Sequence, residues 1–366
     1  MSEIGLGIER SESSLVGTVL AVQANFYQVQ LDEKWGGTAV KEGHLKPQLL
    51  CTRRSRLKKI GQKVMVGDRV VVEEPDWGGG RGAIADVLPR KTQLDRPPIA
   101  NAAQILLVFA LEEPTLDPYQ LSRFLVKAES TGLSVCLCLN KSDLVTAQAR
   151  QEWQKRLGEW GYQPIFMSVY TKTGLEEVNE RLSNTITVLA GLSGVGKSSL
   201  INQLAPEVNL RVGEVTGKLG RGRHTTRHIE LFELPTGGLL ADTPGFNQPD
   251  LDCEPKNLAY YFPEAQERLA VATCQFSDCL HRDEPNCVVR GDWERYEHYL
   301  DFLDVAIARR TWLNQQSDPE STMKAKMKGK GQMQYEPKLE TKKYRRHSRR
   351  TQQQELEQLY QEAEDL

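Results

Sequence analysis

Gly191-Leu192-Ser193-Gly194-Val195-Gly196-Lys197-Ser198 follows the spacing G-x-x-x-x-G-K-S. The apolar run Ile186-Thr187-Val188-Leu189-Ala190 precedes it, and Ser199-Leu200-Ile201-Asn202-Gln203-Leu204 follows. Strand, glycine-rich loop, helix is the context in which this spacing binds phosphate. The glycines let backbone N–H groups turn inward toward an anion. The helix behind adds unpaired N–H groups and the positive end of its dipole. Lys197 is expected on the β- and γ-phosphates and Ser198 on Mg²⁺. Gly191, Ser193, Gly194, Val195, Gly196 and Ser199 complete the expected cradle. A glycine-rich turn with a chance lysine is the bland alternative, and the flanking strand and helix argue against it.

Outward from this loop, apolar strands alternate with helices. Strands are expected at Gln104–Ala110, Leu133–Leu139, Gln163–Ser168, Ile186–Ala190 and Leu239–Ala241. Asp117-Pro118 reads as an N-cap and first turn of a helix running to Thr131. This alternation predicts a parallel α/β sheet, whose functional loops lie at the carboxyl ends of its strands. Asn140-Lys141-Ser142-Asp143 ends one such strand. N-K-x-D there fits guanine: the Asp143 carboxylate accepts from two guanine donors that adenine lacks, so the wrong base leaves it unpaired. Asn140 is expected at the base edge and Lys141 along the ring. Ser168 and Val169 open a loop expected behind the base. Asp242-Thr243-Pro244-Gly245 ends another strand; Asp242 is expected near Mg²⁺ and the Gly245 N–H near the γ-phosphate. Between them lies Gly220-Arg221-Gly222-Arg223-His224-Thr225-Thr226, where Thr225 or Thr226 is a candidate Mg²⁺ ligand. N-K-S-D precedes the P-loop and D-T-P-G follows it, which is a circular permutation of the usual guanine-nucleotide order.

Upstream, short strands separated by turns are expected at Gly17–Val22, Phe26–Leu31, Val70–Glu73 and Gly82–Val87. They predict a small β-barrel, with a five-stranded oligonucleotide-binding fold (OB-fold) as the leading form. From Lys41 to Lys63 there are eight basic residues against one acid. The part of this run from Arg53 to Lys63 is expected at a long loop or strand edge, with Arg53, Arg54, Arg56, Lys58 and Lys59 as RNA contacts. Leu94–Pro98 reads as a linker.

Downstream, Cys274-x4-Cys279-x-His281-x5-Cys287 supplies three thiols and an imidazole, a set suited to one closed tetrahedral Zn²⁺ site. Helical spacing is expected between Trp293 and Trp312. Beyond Ser317 the chain turns polar; Lys324–Arg350 holds eleven basic residues against two acids, and the segment from Glu355 to Asp365 is acidic. Such a tail is expected to be disordered when free.

The chain has 366 residues, a net charge of −2 and seven cysteines, which excludes a disulfide-built fold and points to local rather than global affinity for polyanions. Cys136 and Cys138 read as core residues of a strand; Cys51 and Cys253 carry no signal. Met1–Ser14 is polar and Ile105–Leu111 is too short to cross a bilayer, so a cytoplasmic location without membrane contact is expected.

The permuted motifs, the N-terminal barrel and the cysteine–histidine spacing together resemble the ribosome-small-subunit-dependent GTPases, the RsgA family, over residues 15–313. The resemblance implies a multidomain α/β protein. Its parts would be an OB-fold RNA-binding barrel (14–96), a circularly permuted P-loop GTPase domain (97–255) and a zinc-binding helical domain (256–316); composition alone sets off a disordered start (1–13) and a basic then acidic tail (317–366), which the resemblance does not cover. It implies GTP/GDP, Mg²⁺ and one structural Zn²⁺ as cofactors. It implies a monomer that binds the small ribosomal subunit and its rRNA late in assembly, hydrolysing GTP when the subunit stimulates it and then leaving. Many GTPases place Gln after D-x-x-G to orient water; here that position is Phe246, so His224 is the candidate for that task. Two other classes compete. One is an RNA-binding scaffold for which nucleotide is only a conformational ligand. The other is a kinase, which N-K-S-D and D-T-P-G together disfavour.

Overall fold

The computed structural model describes residues 15–32, 47–206, 208, 229–242 and 250–315, together with the backbone of 323–328 and 332–337. Strands β1 (Leu15–Gln23), β2 (Phe26–Leu31), β3 (Gln48–Arg53), β4 (Arg69–Asp76) and β5 (Arg81–Val87) close into a barrel in the order β1-β2-β3-β5-β4. All neighbours are antiparallel except β3 with β5. Alternate residues, among them Val19, Val29, Leu49, Cys51, Val72 and Ile84, fill its core. Closure leaves no free sheet edge. The strand absent from the sequence reading is β3. Its Leu49-Leu50-Cys51 shows no period of two by hydrophobicity, because Leu50 points outward and is 46% exposed.

The basic run departs from expectation. After β3 the chain forms a short helix, α1 (Ser55–Lys59), rather than a loop or strand edge. Leu57 is fully buried in the barrel core, while Arg56, Lys58 and Lys59 stay in water. One apolar residue in a charged stretch thus folds it against the barrel. The expected linker is also structured: β6 (Gln93–Asp95) pairs antiparallel with β7 (Pro98–Ala100) across a cis Arg96–Pro97 bond. Leu94 and Ile99 are buried in the same core as the next sheet.

That sheet is built from β8 (Gln104–Ala110), α2 (Pro118–Glu129), β9 (Ser134–Asn140), α3 (Ala147–Glu159), β10 (Ile165–Phe166), α4 (Leu175–Leu182), β11 (Ile186–Ala190), α5 (Lys197–Leu204), β12 (Leu231–Glu233) and β13 (Leu239–Asp242). Its order is β10-β9-β8-β11-β13-β12, parallel except for β12. In β8, Ile105, Leu107 and Phe109 enter one core while Leu106, Val108 and Ala110 enter the other. Both faces are therefore covered, as a parallel sheet requires. Asp117 caps α2, accepting from the Tyr119 N–H at 2.9 Å, with Pro118 in the first turn. The barrel sits against the antiparallel edge: Ala21 bridges Glu230, Gln30 donates to Glu233, and Leu20 shares a core with Ile229 and Leu231.

A 3-10 helix (Pro255–Tyr261), α6 (Pro263–Val271) and α7 (Tyr296–Gln315) follow. Arg295, fully buried, donates from Nε to Glu264 at 2.7 Å, and its guanidinium lies 4.8 Å from the Trp160 ring centroid and 4.9 Å from that of Phe262. Glu294 accepts from Trp160 Nε1 at 2.8 Å. These contacts fix the C-terminal helices to the end of α3.

From Ile307 onward the chain forms a second compact unit. Within it β14 (Met323–Lys328) pairs antiparallel with β15 (Gln332–Pro337). This stretch of the tail is a hairpin, and Met-Lys-Ala-Lys-Met-Lys has the period of two that suits a strand. Residues 1–13 and 338–366 lie outside the described residues. Among the described residues no helix is long and apolar enough to cross a membrane.

Candidate nucleotide site and metal centre

The P-loop and N-K-S-D lie at the carboxyl ends of strands two places apart in the sheet, β11 and β9, and Asn140 joins them. Its Nδ2 donates to the Val195 carbonyl at 2.7 Å, and its Oδ1 accepts from the Val169 N–H at 3.2 Å. One buried side chain thus holds the phosphate loop, the guanine motif and the loop opened by Ser168 in register. Lys141 adopts a left-handed conformation (φ 60°), which turns the chain so that Asp143 is exposed at the rim. The Lys141 ammonium donates to the Glu113 carbonyl. The N–H of Ser168 donates to Thr173 O at 3.0 Å, and its Oγ accepts from the Thr171 N–H at 3.0 Å. The Ser168 and Val169 N–H groups are therefore committed within the protein rather than open to a base oxygen.

In the P-loop, Gly191, Gly194 and Gly196 have φ of 140°, 84° and 99°. At Gly191 a Cβ would stand 2.1 Å from the Val108 carbonyl oxygen, so no larger residue fits. Helix α5 begins at Lys197, with Ser198 and Ser199 half-buried in its first turn. Lys197 Nζ donates to the carbonyls of Gly191 at 2.8 Å and Leu192 at 2.5 Å. Burial holds its pKa below the usual lysine value, and the charge of Asp242 partly opposes this. A buried cation beside a carboxylate, at the end of a loop of inward-turning glycines, fits a triphosphate and its divalent ion. Gly245, His224, Thr225 and Thr226 lie outside the described residues.

Cys274, Cys279, His281 and Cys287 converge, with all four ligand atoms within 4.8 Å of one another. His281 Nδ1 lies 3.5 Å from Cys274 Sγ, and 3.3 Å from both Cys279 and Cys287 Sγ; Cys274 and Cys287 sulfurs are 3.9 Å apart. Zn–S bonds of about 2.3 Å in a tetrahedron give edges of roughly 3.8 Å, so the four atoms fit Zn²⁺. Burial pushes the Cys279 thiol up to about 12; a bound dication is what reverses such a shift.

A second layer, which the spacing did not reveal, holds the ligand loop. The Glu284 carboxylate accepts from the N–H groups of Leu280 and Arg282 at 2.7 and 2.8 Å. Tyr296 and Tyr299 of α7 donate to the carbonyls of His281 and Leu280 at 2.9 and 2.7 Å. Glu284 lies within the ligand loop itself, whereas Tyr296 and Tyr299 come from a different element, so no local motif announces them.

The candidate RNA residues separate into two groups. Arg53 donates to Gln62 O at 2.8 Å and lies over Tyr27, and Arg54 pairs with Glu73 and Glu74, each at 2.9 Å. Both are thus engaged in the barrel wall, whereas Arg56, Lys58 and Lys59 of α1 are exposed.

Comparison with known proteins agrees with this geometry. The family model for the RsgA GTPase matches residues 87–252. A Trichormus variabilis protein named small ribosomal subunit biogenesis GTPase RsgA is 70% identical over 96% of this chain and 98% of its own length. The chain belongs to the RsgA GTPase family. A Microcystis aeruginosa relative of the same name is 59% identical over 96% of this chain and 95% of its own. Among solved structures, YjeQ from Thermotoga maritima superposes with a TM-score of 0.67 at 32% identity, covering 81% of this chain and all of its own. YloQ, described as a circularly permuted GTPase, gives 0.65 at 29% identity over 82% and 98%. As a family member, this chain is a GTP hydrolase, and its order of β9 before β11 is the permuted layout.

Proposed function

We propose that this GTPase binds the small ribosomal subunit during late assembly, is switched on by it, and leaves after hydrolysis. The observation that carries the reading is the Asn140 bridge, which ties a guanine motif to a P-loop in a permuted sheet with a barrel on its edge. The names of the relatives, small ribosomal subunit biogenesis GTPases, supply the partner. Asp143 selects guanine, Asn140 and Lys141 flank it, and Ser168 and Val169 shape the loop behind the base. Residues 191–199 hold the phosphates, with Lys197 countering their charge. Ser198, Asp242 and one of Thr225 and Thr226 hold Mg²⁺, which neutralises charge developing on the phosphates when bound. The Gly245 N–H would meet the γ-phosphate.

His224 orients the attacking water, since Phe246 lacks a polar group to do so. The Cys274–Cys279–His281–Cys287 centre holds one structural Zn²⁺. Arg56, Lys58 and Lys59 meet rRNA phosphates. The organisation is a barrel at 14–96, a GTPase domain at 97–255, a zinc domain at 256–316 and a tail at 317–366, acting as a monomer in the cytoplasm. The test is co-sedimentation with purified small subunits. Binding in the presence of a non-hydrolysable GTP analogue that weakens with GDP is expected; binding indifferent to nucleotide would contradict the release step. His224→Ala is expected to cut subunit-stimulated turnover without weakening nucleotide binding. Unchanged turnover would remove His224 from the reaction.

A further inference from the structure

We infer that Tyr170 receives the guanine base, its ring stacking on the purine and its backbone N–H meeting the base oxygen. This rests on the nucleotide-site reading above and adds a residue that neither G-x-x-x-x-G-K-S nor N-K-x-D contains.

Tyr170 stands at the tip of a turn fastened to the guanine motif. The Met167 N–H donates to Leu139 O at 2.9 Å, and the Ser142 N–H donates to Met167 O at 3.1 Å. The chain therefore enters Ser168 beside the turn that presents Asp143. Ser168 then closes a turn of its own, accepting at Oγ from the Thr171 N–H at 3.0 Å and bridging to Thr173. Lys172 and Gly174 are left-handed, with φ of 62° and 72°, and a Cβ at Gly174 would stand 2.4 Å from the Phe166 carbonyl oxygen. The backbone on both sides of Tyr170 is thus fixed. Its ring, by contrast, is 89% exposed.

The hydrogen bonds of the turn decide what it can offer a base. The N–H groups of Ser168, Val169 and Thr171 are taken by Thr173 O, Asn140 Oδ1 and Ser168 Oγ. Among the described residues the Tyr170 N–H meets no acceptor. The open donor of this loop thus lies one residue beyond the Ser168–Val169 pair expected from the sequence. A donor and an aromatic face on one residue suit a flat heterocycle with an oxygen on its edge. Asp143, in the adjoining turn, takes the two donors of such a base, and guanine presents that oxygen and those donors together. Lys141, its ammonium anchored on the Glu113 carbonyl, adds an aliphatic stem to the same rim. A lone exposed ring on a protein surface is ordinary. A ring on a hydrogen-bonded turn differs, because little backbone freedom remains to be lost when a ligand covers it.

The test is calorimetric titration of the full chain with GDP. Tyr170→Ala is expected to weaken binding about five- to a hundredfold. Tyr170→Phe, which keeps the ring, is expected to bind nearly as well as the wild type. The side chain is exposed, so the melting temperature of the nucleotide-free protein should be unchanged in both. Tyr170→Trp should keep the affinity and show tryptophan emission that GDP quenches more than in the wild-type chain, as stacking on the base requires.

Wild-type affinity in Tyr170→Ala overturns the proposal; if that variant then loses the small subunit, the ring meets a macromolecular surface instead. A Tyr170→Phe variant as weak as Tyr170→Ala also overturns it, since the ring would have no part in binding. Asp143→Ala separates this proposal from the reading beneath it. Weakened GDP binding in Asp143→Ala with normal binding in Tyr170→Ala leaves the guanine site standing and removes Tyr170 from it. Normal binding in Asp143→Ala overturns the guanine site itself, and the proposal with it.

Discussion

Asn140 shows how much a single side chain carries in this protein. It is 2% exposed, and both ends of its amide are bonded to loops that a nucleotide must meet together. Asn140→Ala would leave the Val195 carbonyl and Val169 N–H without their partner, at about 1–3 kcal/mol for each buried group left unsatisfied. GTP affinity is expected to fall at least tenfold, read by titration with a fluorescent GTP analogue, together with a lower melting temperature. Gly191→Ala should be worse, because its φ of 140° and its 2.1 Å approach to Val108 O admit no Cβ; loss of nucleotide binding together with a lower melting temperature is expected. The identities of these residues were legible in the sequence, since G-x-x-x-x-G-K-S and N-K-x-D are local patterns with a known chemistry. The bridge between them was not, as it joins residues 55 apart. The engagement of Arg53 and Arg54 by the barrel wall was equally hidden, because a run of charge does not say which members find partners there.

At the scale of elements, the long apolar strands β8, β9 and β11 were legible because each is continuous and buried on both faces. α1 was not. Its composition is that of a solvated loop, and only the buried Leu57 makes it a helix of the barrel. Leu57→Ala is expected to destabilise the protein by about 2–5 kcal/mol, measured by urea unfolding, although Leu57 sits among exposed cations. The metal loop behaves in the opposite way. Its four candidate ligands, which the fold brings together, were legible from spacing and residue type, whereas the support from Glu284, Tyr296 and Tyr299 required the fold. Cys287→Ser, or removal of metal with a strong chelator, is expected to abolish the bound zinc equivalent measured by atomic absorption. It should also loosen α7, seen as altered near-ultraviolet dichroism from Trp293, Tyr296 and Tyr299. Retention of zinc in Cys287→Ser would remove that residue from the ligand set.

At the scale of the molecule, the permuted order has a physical consequence. The chain leaves β13 at Asp242 and goes on to the helices of the metal module, so the end of the nucleotide site feeds directly into that module. The module is held to α3 by buried Arg295, bonded to Glu264 and stacked among Trp160 and Phe262. Glu264→Ala strands that guanidinium, and a loss of about 3–5 kcal/mol is expected. The barrel is held separately, through β1 on the edge strand β12, whose partner β13 ends at Asp242. Both flanking parts are thus anchored to the sheet that carries the nucleotide loops, an arrangement suited to an enzyme that reads its partner before hydrolysing GTP. The central claim is tested most directly by the rate of GTP hydrolysis with and without purified small ribosomal subunits, using Lys197→Ala as the control. The account predicts slow turnover alone and strong stimulation by the subunit, both lost in Lys197→Ala. Subunit binding with no stimulation would contradict it, leaving a scaffold for which nucleotide is a conformational ligand.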